Sequence, residues 1–300
     1  MNIFQKNAKT VVFFACLAAS TSPIFIRLAS DMPSLAVGFY RLSFAMPFFI
    51  FPVAVWHKNE VMNLSKRQIL GCISAGLFLF LHFMSWFTGI VRTTVASAVV
   101  LASLHPIIIL IITALIFRKK TNIKIVIGVI IALIGGAIIT GGDYSFAGDA
   151  LLGDFLAFMA AFFMALYFIT GEKFRPGINT IVYVCIVFGC CWFFFFLGML
   201  ATNTPFSGYS TNSYIAVFAM AVINQIGTHG LFNWCLGYVS PLYVSTSETV
   251  EVVYSSIMAA IIFSEFPTFW QYVGGAVTII GILIYNYYES RKSTDSMLQK

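Results

Sequence analysis

Two carboxylates, Glu248 and Glu251, lie within "SETVEVVYS" (residues 247–255), inside an apolar run from Leu242 to Phe263. A charge at the centre of a membrane-crossing helix costs about 2.5–3.5 kcal/mol to insert. Such residues face a bundle interior or water and mark a pathway. Ser245, Glu248, Glu251 and Ser255 are spaced to share one helical face, with Val250, Val253, Ile257 and Ile261 on the other. Two carboxyls one turn apart in a dry site cannot both ionise easily, so they titrate as a coupled pair. That suits a proton carrier or a receptor for a cationic group. Two protonated acids bonding neighbouring helices is the structural alternative.

Other polar side chains interrupt apolar runs with helical spacing. Gln225, His229 and Asn233 follow i, i+4, i+8, with Thr228 beside them. His82 and Trp86 are one turn apart, and Tyr167 and Trp234 offer further aromatic walls. Histidine gains or loses a proton near neutral pH. His105 precedes Pro106, whose missing N–H frees a carbonyl in the preceding turn. Arg41 lies two turns inside its run and would either snorkel to the surface or pair with a carboxylate. Arg27, nearer a run end, is expected to snorkel. The spacings form no convincing metal set. The six cysteines, all in apolar segments, read as reduced core residues. No HExxH, GxSxG or Walker A motif occurs, so neither an enzyme nor an ATP-driven pump is read here, and no cofactor is expected.

The elements that position these groups must be membrane spans. Hydrophobic residues make up 60% of the 300, and charged residues only 9%. A soluble domain carries roughly 25% charged residues. A helix needs about 20 apolar residues to cross a bilayer. Ten runs qualify: 10–29, 35–56, 69–90, 94–117, 123–141, 152–171, 179–200, 213–236, 241–263 and 268–288. The N-terminus has lysines before an apolar stretch, as a signal peptide does. That stretch runs on through "PIFIRLA", which fits an uncleaved first span. Fourteen Lys and Arg residues fall on one side of the ten runs and only Arg92 on the other. By the positive-inside rule both termini are cytoplasmic. The net charge of +6 therefore reads as a topology signal, and nucleic acid is not an expected partner.

The halves echo each other. "SWFTGIV" at 85–91 matches "NWCLGYV" at 233–239, 148 positions on. "FRKKTNIKIVIGVIIALIG" at 117–135 matches "FSEFPTFWQYVGGAVTIIG" at 263–281 at an offset of 146. Five spans per half inverts the second half relative to the first, an architecture of transporters. The expected fold is thus an all-α membrane protein of ten transmembrane helices in two inverted five-helix repeats. Residues 1–141 form the first repeat, and 142–300 the second with a short cytoplasmic tail. At the 146 offset Glu251 corresponds to His105, so the two are expected to approach one central cavity. Gly128, Gly135, Gly274 and Gly281 are expected to let helices pack closely.

"ASTSPIFIRLA" (19–29), "FYRLSFA" (39–45), "ASLHPIIILIITALIF" (102–117) and "GDFLAFMAAFFMALYF" (153–168) resemble helices 1, 2, 4 and 6 of the drug/metabolite transporter superfamily, EamA-type branch. The likeness covers about residues 9–288. It implies a membrane carrier in which Arg41 and Pro106 match family positions. Two positions depart: Lys119 replaces a glutamate at the end of helix 4, though Glu265 is kept in helix 9. Glu251-Val252 replaces a common Glu-Pro, so helix 9 is expected to be straighter than helix 4. The expected function is a secondary transporter, an exporter, of a small organic metabolite such as an amino acid. It would work by alternating access, with proton coupling or exchange. A multidrug exporter of lipophilic cations is the alternative. The pathway residues would be Glu248, Glu251, His105, His229, His82, Gln225, Asn233, Trp86 and Arg41. The partners would be the lipid bilayer, a small-molecule substrate and protons. The location would be a bacterial inner membrane. Oligomeric state is not legible.

Overall fold

The computed structural model describes residues 3–117, 123–142, 148–235 and 241–298. Regular structure among them is helical throughout. A bilayer imposes this, because its interior offers no water to pair with backbone N–H and C=O groups. The helices follow the apolar runs. Span 1 comprises Ile3–Ala19 and Ser22–Leu28, and span 2 is Ser34–Trp56. A short helix, Lys58–Met62, leads to span 3, Lys66–Ile90. Span 4 comprises Val95–Ala102 and His105–Phe117; span 5 is Ile123–Gly142. Span 6 is Asp149–Phe174 and span 7 is Thr180–Ala201. Span 8 is Thr211–Met220, a π-helical Ala221–Gly230, and Leu231–Cys235. Span 9 is Pro241–Phe263 and span 10 is Phe269–Leu298. Six stretches, among them Thr10–Leu28 and Val95–Ile112, are long and apolar enough to cross a membrane. Shorter apolar helices cover Ile123–Ile139, Glu251–Phe263 and Phe269–Tyr285. Lys119 lies outside the described residues.

Local sequence sets where the spans begin. Ser65 starts span 3 with a capping box: its hydroxyl accepts from Gln68 N–H at 3.3 Å, and the Gln68 side chain accepts from Ser65 N–H at 3.0 Å. Thr94, Asn179 and Ser210 cap spans 4, 7 and 8 the same way, through Ser97, Ile181 and Ser213 N–H groups. Each side-chain oxygen satisfies a donor that the first helical turn leaves without a partner.

Two spans break at prolines. Span 1 breaks at Ser20–Thr21, just before Pro23. Span 4 breaks at Ser103–Leu104, just before Pro106. Span 9 has no internal proline and runs unbroken through Glu251, as its Val252 leads one to expect. Span 8 stays continuous but widens to i→i+5 bonding across 221–230, a geometry often found at functional sites.

Spans 5 and 10 make the most extensive contact in the bundle. They meet backbone to backbone at the four glycines read from the sequence. A methyl on Gly128 would lie 2.9 Å from the Gly281 carbonyl oxygen, and one on Gly281 would lie 2.7 Å from that of Gly128. Phe14, Phe51, Trp56, Phe155, Ile215 and Ile261 are exposed on the outside. So much uncovered apolar surface requires a lipid surround.

Candidate functional site

A broken helix exposes carbonyls that something must satisfy. In span 4, Pro106 has no N–H for the Ala102 carbonyl one turn earlier. The His105 ring fills that place, with Nδ1 donating to Ala102 O at 3.2 Å. The imidazole also stacks on Phe168 of span 6, centroids 5.7 Å apart. His82 in span 3 donates Nδ1 to Ala160 O of span 6 at 2.8 Å. Trp86, one turn on, is buried.

Span 1 is held at its break by the other half of the chain. Asn224 Nδ2 donates to Ala18 O at 2.7 Å and to Thr21 Oγ1 at 3.2 Å. Ser255 Oγ donates to Ser20 O at 3.1 Å. Thr228 Oγ1 reaches Ala15 O at 3.4 Å and Ile223 O at 3.3 Å. Glu251 is half-buried one turn before Ser255, on the helix that packs against span 1. Gln225, beside Asn224, is fully buried, and neither its Oε1 nor its Nε2 has a hydrogen-bond partner among the described residues.

Of the pathway residues read from the sequence, His82 and His105 both contact span 6, at Ala160 and Phe168, and Arg41 lies against Phe83 and Phe87 of span 3. Glu251 and Gln225 belong to the neighbourhood of the span 1 break. The described contacts thus take His105 toward span 6, and the Glu251 turn toward span 1. The side chains of Glu248, His229, Asn233 and Trp234 lie outside the described residues. Arg41 does not snorkel: it is 2% exposed, with its guanidinium carbon 4.5 Å from the Phe83 ring centroid and 5.8 Å from that of Phe87. Asn224 is the residue that sequence reasoning missed. Asn224 and Thr228, also four apart, form the adjacent stripe, and it is this one that meets span 1. The one available signal was Asn224 itself, an amide in an apolar run.

Arg27 does not snorkel either. It pairs with Glu265, donates Nε and Nη2 to Ile90 O at 3.1 Å each, and reaches Thr93 O. Glu265 in turn accepts from Val95 N–H at 2.6 Å. The cation therefore sits at the C-terminus of span 3 and the anion at the N-terminus of span 4, each where the helix dipole favours it. Nearby, Thr93 donates to Asp154 at 2.6 Å, and Gln271 donates to Thr94 at 2.9 Å and Ser97 at 3.0 Å. On the same side the Asp31 carboxylate accepts from Ser210 N–H at 2.6 Å and from the Ser213 hydroxyl. These ties join spans 1, 3, 4, 6, 8 and 10 on the side opposite the lysine-rich loops.

A bundle of apolar helices with satisfied breaks and buried ionisable groups is the make-up of a membrane carrier. The EamA-like transporter family model matches residues 8–141 and 151–287, and the chain belongs to that family. Its fold is the ten-helix membrane fold with an internal repeat. The chain is 22% identical over 294 residues to the "Uncharacterized transporter YxxF" of Bacillus subtilis (strain 168), covering 93% of this chain and 90% of the relative. It is 29% identical over 190 residues to the "Aromatic amino acid exporter YddG" of Escherichia coli (strain K12), covering 59% of this chain and 62% of that one. It is 23% identical over 274 residues to the "S-adenosylmethionine uptake transporter" of Rickettsia prowazekii (strain Madrid E), covering 90% and 88%. A solved crystal structure superposes with a TM-score of 0.66 at 18% identity, over 95% of this chain and 98% of that one. The protein is a membrane transporter.

Proposed function

We propose that this transporter is a secondary exporter of a small organic metabolite, such as an amino acid, working by alternating access with proton coupling or exchange. The observation that carries the reading is the break in span 1, whose Ala18 and Ser20 carbonyls are held by Asn224 and Ser255 from the other half of the chain. Side chains that satisfy a broken backbone can exchange partners with a solute or with the opposite state. That is how discontinuous helices serve transport. Glu251, one turn from Ser255, supplies the titratable group for protons. Two relatives are named for the export of aromatic amino acids and the uptake of S-adenosylmethionine. Both solutes bear an amino group and a carboxylate. The two halves, 1–141 and 142–300, act as the rocking units, with both termini in the cytoplasm of a bacterium. The lipophilic-cation alternative is disfavoured by Arg41, a permanent cation held between spans 2 and 3.

Counterflow in proteoliposomes tests this. Vesicles loaded with unlabelled amino acids should accumulate labelled solute transiently and saturably, faster when a pH gradient is imposed. Entry no faster than into protein-free vesicles, for every amino acid tried, sinks the reading.

A further inference from the structure

Arg41 is a fully buried cation that makes no hydrogen bond or ion pair among the described residues, and its Nε is enclosed without a partner. Guanidinium does not shed its proton in proteins, so neutralisation is no way out. A buried charge needs a partner. The Phe83 ring takes the flat face of the guanidinium, at 4.5 Å, and Phe87 lies at 5.8 Å. A ring over the face leaves the in-plane fork of N–H donors unused, and that fork matches a carboxylate bidentately. Three of the described acids are engaged elsewhere. Asp154 accepts from Thr93, Glu265 pairs with Arg27, and Asp31 is bound by Ser210 and Ser213. The rings behind the guanidinium are packed and buried: Phe83 stacks on Phe87 at 5.4 Å, and Phe87 on Phe195 at 6.4 Å.

We propose that Arg41 is the docking group for a carboxylate on the transported molecule, which reaches the fork when the bundle opens. The substrate class is then a solute that bears a carboxylate. This rests on the carrier reading above for the word "transported", but the binding site can be tested without flux.

The test is equilibrium binding to the full-length protein in detergent, with two probes of like shape. 3-Phenylpropionate carries the carboxylate; phenethylamine carries an amine in its place. Wild-type protein should bind 3-phenylpropionate saturably and phenethylamine at least tenfold more weakly, since a hydrogen bond to a charged group is at stake. Arg41→Lys keeps a cation but loses the fork, and should weaken 3-phenylpropionate about tenfold. Arg41→Gln should weaken it roughly a hundredfold. The wild-type comparison stands even where a variant fails to fold. Equal binding of the two probes, or unchanged affinity in Arg41→Lys, overturns the proposal. So does wild-type protein that carries another solute in vesicles yet shows no saturable binding of 3-phenylpropionate; that result leaves the carrier reading intact. Arg41-dependent binding by a protein that carries nothing upholds the site and removes the carrier reading instead.

Discussion

Gly135 and Gly274 face each other with no room between them. A methyl added to either would lie 2.6 Å from the carbonyl oxygen of the other. Gly128 and Gly281 repeat the contact further along. The sequence repeat equates Gly128 with Gly274 and Gly135 with Gly281. Each glycine thus meets the counterpart of its neighbour, the reciprocal pattern that a two-fold relation between antiparallel helices produces. Gly135→Ala should cost about 1–3 kcal/mol through overpacking, and Gly135→Leu should separate spans 5 and 10. A falling thermal midpoint of the purified protein checks this. A midpoint unmoved by Gly135→Leu would show that the seam tolerates separation.

The Arg27–Glu265 pair should behave as one unit. Both side chains are mostly shielded, at 18% and 20% exposure. Removing one partner leaves the other charge uncompensated, at a cost of roughly 3 kcal/mol. Arg27→Gln with Glu265→Gln should cost clearly less than the two singles together. Thermal unfolding of all four proteins closes the cycle, and strict additivity would deny the coupling.

Asn224→Ala and Ser255→Ala should each loosen the span 1 break. Interhelical hydrogen bonds in membranes are worth about 0.6–1.7 kcal/mol. The stability loss is therefore small, whereas transport should fall severalfold. Comparable small losses in both would mark the two bonds as packing only.

Glu251→Gln keeps the shape and a hydrogen-bonding carbonyl but removes titration. It should abolish flux driven by a pH gradient and spare solute exchange. Glu248→Gln should do less, being one turn from the position matched to His105. Gradient-driven flux that persists in both variants would return the pair to a structural role.

The Asp31 carboxylate is held below its ordinary value of 3.8, first by the Ser213 hydroxyl and then by the Ser210 N–H. A lowered value means that the tie between Asp31 and the 201–212 loop is complete at neutral pH. It begins to weaken only as the pH falls below the ordinary carboxylate range. Asp31→Asn should expose the loop to protease at neutral pH. Equal cleavage of wild-type and variant protein would discount the tie.

Much of the fold was legible because the bilayer simplifies the problem. Apolar length alone placed the spans, and Gly128, Gly135, Gly274 and Gly281 marked close helix packing without naming which helices meet. Span 9, with Val252 in place of a proline, runs unbroken, whereas span 4 breaks just before Pro106. What escaped was partner choice at a distance. Arg27 was read as snorkelling because its helix ends nearby; its partner Glu265 is 238 residues away in the chain. His105 was read either as a pathway group or as a core histidine bonded to a neighbouring carbonyl, and the structure shows that bond, to Ala102 O. Asn224 was passed over because the stripe was drawn through its neighbour Gln225, although Asn224 and Thr228 are spaced by the same four residues.

The wider winding across 221–230 has a consequence for how span 8 can move. A turn closed by i→i+5 bonds holds more residues than an α-turn and rises less per residue. Rewinding Ala221–Gly230 as α-helix would lengthen the span and rotate everything beyond it, including the stretch from Leu231 to Cys235, with no covalent strain elsewhere. The span therefore stores extension in the manner of a compressed screw thread. Asn224 and Thr228, which grip span 1, sit on that thread. A change of pitch in one helix would release them and drive its inner end along the membrane normal, a motion distinct from the tilting of a rigid rod.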